Sequence, residues 1–513
     1  MSMGTTKSGW VVAGLLLSIL MASMDNTIVA TAMGTIVGEL GGLDKFVWVT
    51  SAYMVAEMAG MPIFGKLSDM YGRKRFFIFG IIAFMLGSVL CGTADSIMEL
   101  SLYRAVQGIG AGALVPISFT IMFDAVPADS RGKLMGMFGA VFGMSSIFGP
   151  LLGAYITDYM SWEWVFYINL PIGLVALLFI AKFYRESAVH TKQRIDWLGS
   201  GTLVGAVVSL MFALELGGKM FPWSSAPILG LFAGFAICAV LFIFAERRAE
   251  EPIISFGMFK NRLFATSNVI GFMSGGAYIV ASVYIPIFIQ GVLGGSATSS
   301  GFMLLPMMLG TVVTATLGGM VMGRLSYRTI LASTLALLAV GLTLLTTITA
   351  DTPRLVITLY MILVGLGVGA SFSVLTTSAV HAMPGSQRGS AMATINFLRS
   401  LGMMVGITVY GLLQNHAMSR KLSDMFSGGG LGELPQGIKL EDPYVLMTPE
   451  TRALIPEAAL DALGGGLAAS IANVFAWGLL PAVLAVGAAC AMSGAKHDPK
   501  AEEADGYAAA AAH

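Results

Sequence analysis

Three charged residues stand inside long apolar runs, and their types and spacing are the ones that can move protons. Asp25 sits in Met24-Asp25-Asn26-Thr27-Ile28-Val29, Glu57 lies one run further on, and Arg104 opens Arg104-Ala105-Val106-Gln107-Gly108-Ile109-Gly110. A charge at the centre of a membrane helix costs ~2.5–3.5 kcal/mol on insertion scales, so each needs a reason to be there. Counting up from Trp10 places Asp25 about 22 Å along its helix, roughly 8 Å short of the far boundary. Counting from Met98 at the other face puts Arg104 about 9 Å below that same boundary. The two therefore fall at similar depth. A carboxylate beside a guanidinium keeps its charge, and one that loses the contact takes up a proton more readily. A static structural pair is the alternative, as is an Arg104 that snorkels to the surface. Glu57 falls near mid-membrane, as a second protonation site, a counter-charge for cations, or a packed neutral acid.

Other polar residues in apolar runs are candidates for a substrate cavity, because polar groups facing lipid are costly. They are Asn26, Gln107, Gln290, Asn396 and Arg399, with Phe397 beside them. Met21, Met24, Phe119, Phe142, Tyr278 and Tyr284 could add an adaptable apolar lining, or could simply pack. A third group is Gly65-Lys66-Leu67-Ser68-Asp69-Met70-Tyr71-Gly72-Arg73-Lys74-Arg75. Gly65 and Gly72 permit a tight turn, and Asp69 can cap a helix start or pair with cytoplasmic arginines, latching the bundles shut on the inner side. A plain basic loop is the alternative. Finally Gly143 and Gly149-Pro150-Leu151-Leu152-Gly153 give one helix a smooth packing face and a proline bend.

The elements that position these residues follow from composition. Of 513 residues 56% are hydrophobic and only 11% charged, far below the ~25% of soluble domains. About 20 apolar residues are needed to cross a ~30 Å hydrocarbon core. Fourteen runs meet that need: 10–33, 46–66, 75–94, 98–122, 133–157, 164–184, 196–217, 226–246, 262–290, 298–323, 328–349, 353–380, 389–417 and 467–492. The runs are continuous, not alternating, which excludes a β-barrel. Lys and Arg gather in alternate connections, which predicts cytoplasmic termini. Gly65-Lys66-Leu67-Ser68 is echoed by Gly323-Arg324-Leu325-Ser326, which predicts two related halves. The expected organisation is a cytoplasmic N-terminus at 1–9, a six-helix bundle at 10–187, an inserted helix pair at 188–250, a second six-helix bundle at 251–495 with an extracytoplasmic loop at 418–466, and a disordered tail at 496–513. No cleavable signal pattern is read in the first run.

These motifs carry a resemblance. The Gly65–Arg75 loop and the Arg104–Gly110 helix are similar to signature motifs of the major facilitator superfamily. Gly149-Pro150-Leu151-Leu152-Gly153 resembles the antiporter motif of its exporters. With Trp48–Tyr53, Trp162–Gly173 and Asn396–Gly402, the chain from about 10 to 417 resembles the fourteen-helix drug:proton antiporters of the QacA/EmrB type, multidrug-resistance members from Gram-positive bacteria in particular. The resemblance implies a major facilitator fold in a bacterial cell membrane, and exchange of protons for hydrophobic, often cationic drugs. It implies coupling through Asp25 and Arg104, and no cofactor beyond the proton gradient. The chain departs from the pattern at Met33-Gly34, at Glu163, at Tyr327, and in lacking an acid in its tenth span.

Other classes fit less well. Gly60–Lys66 has phosphate-loop spacing, but Leu67 follows where Ser or Thr should hold Mg²⁺, and no strand precedes it. His190, His381, His416, His497 and His513 are scattered without HExxH spacing, which argues against a membrane enzyme. Cys91, Cys238 and Cys490 read as packing residues. Balanced charge, with 29 basic and 29 acidic residues, leaves no case for nucleic acid. A channel lacks a filter-like repeat, and a dedicated transporter of one metabolite is the runner-up. The expected protein is a monomeric transporter whose partners are lipid, protons and drugs.

Overall fold

A computed structural model describes residues 5–41, 47–126, 128–186, 196–218, 220–295, 297–381, 383–384, 387–427 and 457–496. The helices are α1 (Thr5–Leu40), α2 (Val47–Tyr71), α3 (Arg73–Cys91), α4 (Ile97–Ala125), α5 (Ala128–Tyr159), α6 (Trp164–Tyr167), α7 (Asn169–Phe183), α8 (Trp197–Leu216), α9 (Ala226–Arg248), α10 (Arg262–Gly291), α11 (Ala297–Val321), α12 (Tyr327–Leu345), α13 (Arg354–Val380), α14 (Arg388–Ser427) and α15 (Glu457–Ala491). Among the described residues there is no sheet, only an isolated bridge between Gly217 and Phe221. Lipid offers backbone groups no partners, so a chain this apolar must close its hydrogen bonds within helices.

Twelve of the described segments are long and apolar enough to cross a bilayer. The fourteen expected runs also include α2 and α5, long helices diluted by glycine and by charged residues such as Glu57, Lys66 and Asp69. Local signals set several boundaries. Ser96 caps α4 by accepting from Glu99 N at 3.3 Å, and Asn261 caps α10 by accepting from Leu263 N at 2.9 Å.

The 164–184 run appears as one crossing segment, Trp164–Phe183, with a turn at Ile168 between α6 and α7. One expectation changes. The 418–466 loop is shorter than expected, because α14 continues to Ser427 and α15 begins at Glu457. Residues 418–427 contain no glycine or proline, so nothing stops the helix before Gly428, and Pro456-Glu457 is a helix-start signal. The expectations for 428–456, the tail 497–513, the first four residues and the 187–195 connection fall outside the described residues.

The helices pack in a repeated order. In the first part α1 lies on α4, α5 and α7, α2 on α4, and α3 on α4 and α7. In the last part α10 lies on α13, α14 and α15, α11 on α13, and α12 on α13 and α15. The pairings α2–α14 and α5–α11 join the two parts, and each is the counterpart of the other under that repeat. The α8–α9 pair stands outside it, resting on α2.

Apolar clusters show where the parts meet. One, with Met24, Ile36, Leu100 and Trp162, is confined to the first part, and another, with Tyr284, Leu338 and Phe475, to the last. A third crosses between them at one end, where Phe123 and Val380, at the ends of α4 and α13, meet Phe264 and Ala391, at the starts of α10 and α14. Within each part the helices touch backbone to backbone. A Cβ on Gly87 of α3 would lie 2.6 Å from the α4 backbone at Gln107. We predict that Gly87→Ala overpacks this contact by ~1–3 kcal/mol and lowers the apparent melting temperature by a few degrees. Gly201→Ala, where nothing lies within 4 Å, should leave it unchanged. Differential scanning fluorimetry of the detergent-purified protein checks both.

Candidate functional site

Asp25 and Arg104 meet. Both are fully buried, and Arg104 Nη1 donates to Asp25 Oδ2 in an ion pair. The same nitrogen donates to Gln107 Oε1 at 2.6 Å, Nη2 donates to Asn26 Oδ1 at 3.3 Å, and Nε reaches Val49 O at 3.4 Å. The guanidinium lies over the Tyr53 ring, 4.1 Å from its centroid. The other carboxylate oxygen accepts from Gln107 Nε2 and from Asn169 Nδ2, each at 2.8 Å. Ser88 Oγ accepts from both of those amides, at 2.8 and 3.3 Å. Five side chains from α1, α2, α3, α4 and α7, with the Val49 carbonyl, thus surround two charges. Such saturation is required, since a buried pair repays its desolvation only when geometry and extra hydrogen bonds are good.

Sequence reading did not assign Tyr53, Ser88 or Asn169 to this group. Asn169 carried a signal, as a polar residue inside an apolar run just before Pro171, at the α6–α7 break. Gln107, expected in a cavity, belongs to the ion-pair network instead: it lies one turn beyond Arg104 on the same face of α4.

A cavity of about 300 Å³ lies between the two parts. Asn26, Glu57, Met61 and Phe119 line it from the first part, and Tyr278, Thr311, Phe372, Asn396 and Arg399 from the last. Asn26 belongs to both the cavity and the network, so it connects the ion pair to the cavity wall. Asn396 spends its amide on Met392 O at 2.8 Å. Arg399, 6% exposed, donates to Ser371 O at 3.1 Å and lies 4.7 Å from the Phe372 ring centroid.

Two expected lining residues lie elsewhere. Phe397 packs into the apolar cluster of α2 and α8, with Val55, Met58 and Leu203, because it points away from its neighbours Asn396 and Arg399 on α14. Gln290 is the penultimate residue of α10, well away from the cavity wall at Tyr278. Of the apolar residues considered, Phe119 and Tyr278 line the cavity, whereas Met21, Met24 and Tyr284 sit in the packed clusters.

At the end where both parts share a core, Asp69 makes a clasp. Its Oδ1 accepts from Gly389 N at 2.9 Å and its Oδ2 from Ser390 N at 2.8 Å. These N–H groups belong to the first turn of α14, where helical partners are missing and a carboxylate is favoured. Arg73 Nη2 donates to Asp69 at 3.1 Å, and Arg73 also pairs with Asp124 of α4. Gly72 turns the chain at φ 112°, a conformation suited to glycine. A Cβ at Gly65 would strike Ala393 and Gly389, so only glycine lets α2 lie this close to α14. Lys74 Nζ donates to Ala181 O and Tyr184 O, at 2.6 and 2.7 Å, satisfying carbonyls at the end of α7. The segment after α9 is drawn into the clasp: Lys66 pairs with Glu251 at 2.7 Å, and Ser390 Oγ donates to Ile253 O at 2.7 Å.

The α5 motif faces α1 beside Asp25. A Cβ on Gly149 would strike Thr27, and one on Gly153 would come 2.9 Å from Ile28 O. Thr27 Oγ1 donates to Ser145 O at 2.9 Å. Pro150 lies inside α5, on which Gly143 also lies.

Residues 15–407 match the family model described as Major Facilitator Superfamily. "Multidrug resistance protein 3" of Bacillus subtilis (strain 168) is 52% identical over 478 residues, covering 93% of each chain. "Multidrug transporter protein MdtP" of the same organism is 36% identical over 419 residues, 82% of this chain and 77% of that one. A solved structure of the human organic anion transporter MFSD10 (TETRAN) superposes with a TM-score of 0.59 at 15% identity, over 93% of this chain and 99% of that one. At that identity the likeness concerns the fold alone.

Two outcomes follow from this geometry. Asp25→Asn leaves Arg104 buried without its counter-charge and should cost ~3–5 kcal/mol, while the double variant with Arg104→Gln should recover part of that loss. A double-mutant cycle on thermal unfolding checks it. Asp69→Asn should release the clasp. Spin labels at the exposed positions Arg75 and Arg328 should then show a longer distance population by double electron–electron resonance. An unchanged distribution would mean the clasp does not hold the parts together.

Proposed function

The chain belongs to the major facilitator superfamily, a family of membrane transporters and not of enzymes, and from that premise we propose that it is a proton-coupled multidrug efflux antiporter of a Gram-positive cell membrane. The observation that carries the proposal is the buried Asp25–Arg104 pair joined through Asn26 to a central cavity. The names of the relatives support drug efflux. In this reading α2 and α5 also cross the bilayer, making fourteen spans with α6 and α7 counted as one. The organisation is a six-helix bundle at 10–187, the α8–α9 insert within 188–250, and a second bundle at 251–495. The distribution of basic residues supports an orientation with the Asp69 clasp and both termini on the cytoplasmic side. With the clasp made, the cavity is closed to the cytoplasm, and the conformation described is outward-facing.

The cycle runs as follows. A drug occupies the cavity from inside, its apolar body against Phe119, Tyr278 and Phe372 and its cationic group beside Glu57. In the outward-facing state a proton from outside neutralises Asp25, and Arg104 loses its strongest acceptor. The guanidinium redistributes its donors, Asn26 shifts with it, and the drug is released outward. The empty, protonated carrier returns inward-facing and gives up its proton there. Asp69, Gly72, Arg73 and Lys74 make and break the cytoplasmic closure, with Gly65 permitting the close approach of α2. On α5, Gly143, Gly149, Pro150 and Gly153 provide the surface on which α1 moves. One proton gains ~1.4 kcal/mol per pH unit and ~2.3 kcal/mol per 100 mV, enough for roughly a ten- to hundredfold drug gradient. No cofactor is needed, and one chain contains the whole path.

Ethidium uptake into energised inverted vesicles tests this. We expect uptake that needs the pH gradient, is abolished in Asp25→Asn and is weakened in Glu57→Gln. Gradient-driven uptake that survives Asp25→Asn would move coupling elsewhere. A parent without gradient-dependent uptake would sink the multidrug assignment.

A further inference from the structure

Three arginines are buried among the described residues, and two of them are neutralised. Arg104 is paired with Asp25, and Arg73 with Asp69 and Asp124. Arg399, on α14, is equally withdrawn from solvent, yet among the described residues no carboxylate lies within ion-pair distance of it. Its hydrogen bond to Ser371 O and its stacking on Phe372 fix the guanidinium plane. They leave most of its five N–H donors unused by the protein. It lines the cavity together with Asn396, Ser400 and Tyr278. A buried cation without a counter-ion is strongly disfavoured, and a planar fork open to a cavity matches a carboxylate in bidentate geometry.

We infer that Arg399 is an anion-recognition site, and that the cavity selects amphipathic compounds bearing a carboxylate, zwitterions included, over otherwise identical compounds without one. This rests on the efflux reading above and narrows its substrate class. The carboxylate docks on Arg399, supplying the negative charge the fold omits. The aromatic body lies against Phe372 and Tyr278. A basic group, where there is one, is directed to Glu57 on the opposite wall, so the two walls sort a zwitterion end to end. A neutral or purely cationic compound meets the same aromatic lining but leaves Arg399 uncompensated.

The test is equilibrium binding to the full chain in nanodiscs, read by fluorescence polarisation. The probes are a carboxyl-bearing rhodamine and its methyl ester, which differ only in whether the acid is free. We expect the acid to bind about tenfold more tightly than the ester, the order set by a charge-assisted hydrogen-bonded pair. Arg399→Gln should reduce that acid-to-ester ratio about tenfold. Arg399→Lys, which keeps the charge and loses the fork, should retain part of it. A ratio unmoved in Arg399→Gln would show that Arg399 only holds α14 to α13, and would overturn the inference, as would a lysine variant no better than the glutamine one. Should Arg399→Gln not fold, the parent alone decides. Tighter binding of the ester overturns the acid preference while leaving multidrug binding intact, and binding of neither probe removes both.

Discussion

A carboxylate and a guanidinium taken out of water together set the terms for the first half of this molecule. Neither Asp25 nor Arg104 can be buried alone, and even as a pair they repay desolvation only with their remaining donors and acceptors filled. Filling them takes Gln107, Asn169, Asn26 and Ser88, with Tyr53 beneath the guanidinium, drawn from five helices. The close approach that lets these side chains meet is possible because α3 presents Gly87 to α4 and α4 presents Gly108 to α2 at Tyr53. The electrostatic demand and the small-residue packing are therefore one design. Its outlet is Asn26, the one residue of this network that also lines the cavity. An amide thus stands between the buried pair and the cavity.

The two halves are joined unevenly. A shared apolar core and the Asp69 clasp both lie at one end, a second shared cluster joins α2 and α8 to Phe397 of α14, and the remaining two cores stay within their own halves. The α8–α9 pair is not a bystander: the segment following it is held by Lys66 of α2 and Ser390 of α14, so it is stitched to both sides of the clasp.

Much of this was legible in the sequence where lipid makes polarity conspicuous. Asp25 and Arg104 stand out because charge in an apolar run is costly, and counting residues along two helices was enough to bring them to one depth. Asp69 was legible as a cap because its loop carries ordered glycines. What sequence did not separate was the destination of other polar residues. Gln107 and Asn396 look alike in an apolar helix, yet one serves an ion pair and the other a cavity, a choice made by helix rotation. Phe397 shares a helix face with neither of its polar neighbours, and aromatic residues pack or line cavities under the same spacing. Asn169 depended on where α7 meets α1, a tertiary fact. The ends of α14 and α15 exceeded their apolar runs because a helix continues past the lipid boundary until a breaker stops it.

The clasp has an asymmetric chemistry with a genetic consequence. Its acceptor is one side chain, Asp69, but both inter-half donors are main-chain N–H groups, of Gly389 and Ser390. Only a proline removes a backbone donor, and at Gly389 even a methyl group would collide with the Asp69 carboxylate. The acceptor side can thus be weakened by almost any substitution of Asp69, while the donor side loses an N–H only to proline. Side-chain variation that alters this contact is therefore concentrated at Asp69, at its buttress Arg73, and in the stitched segment around Glu251.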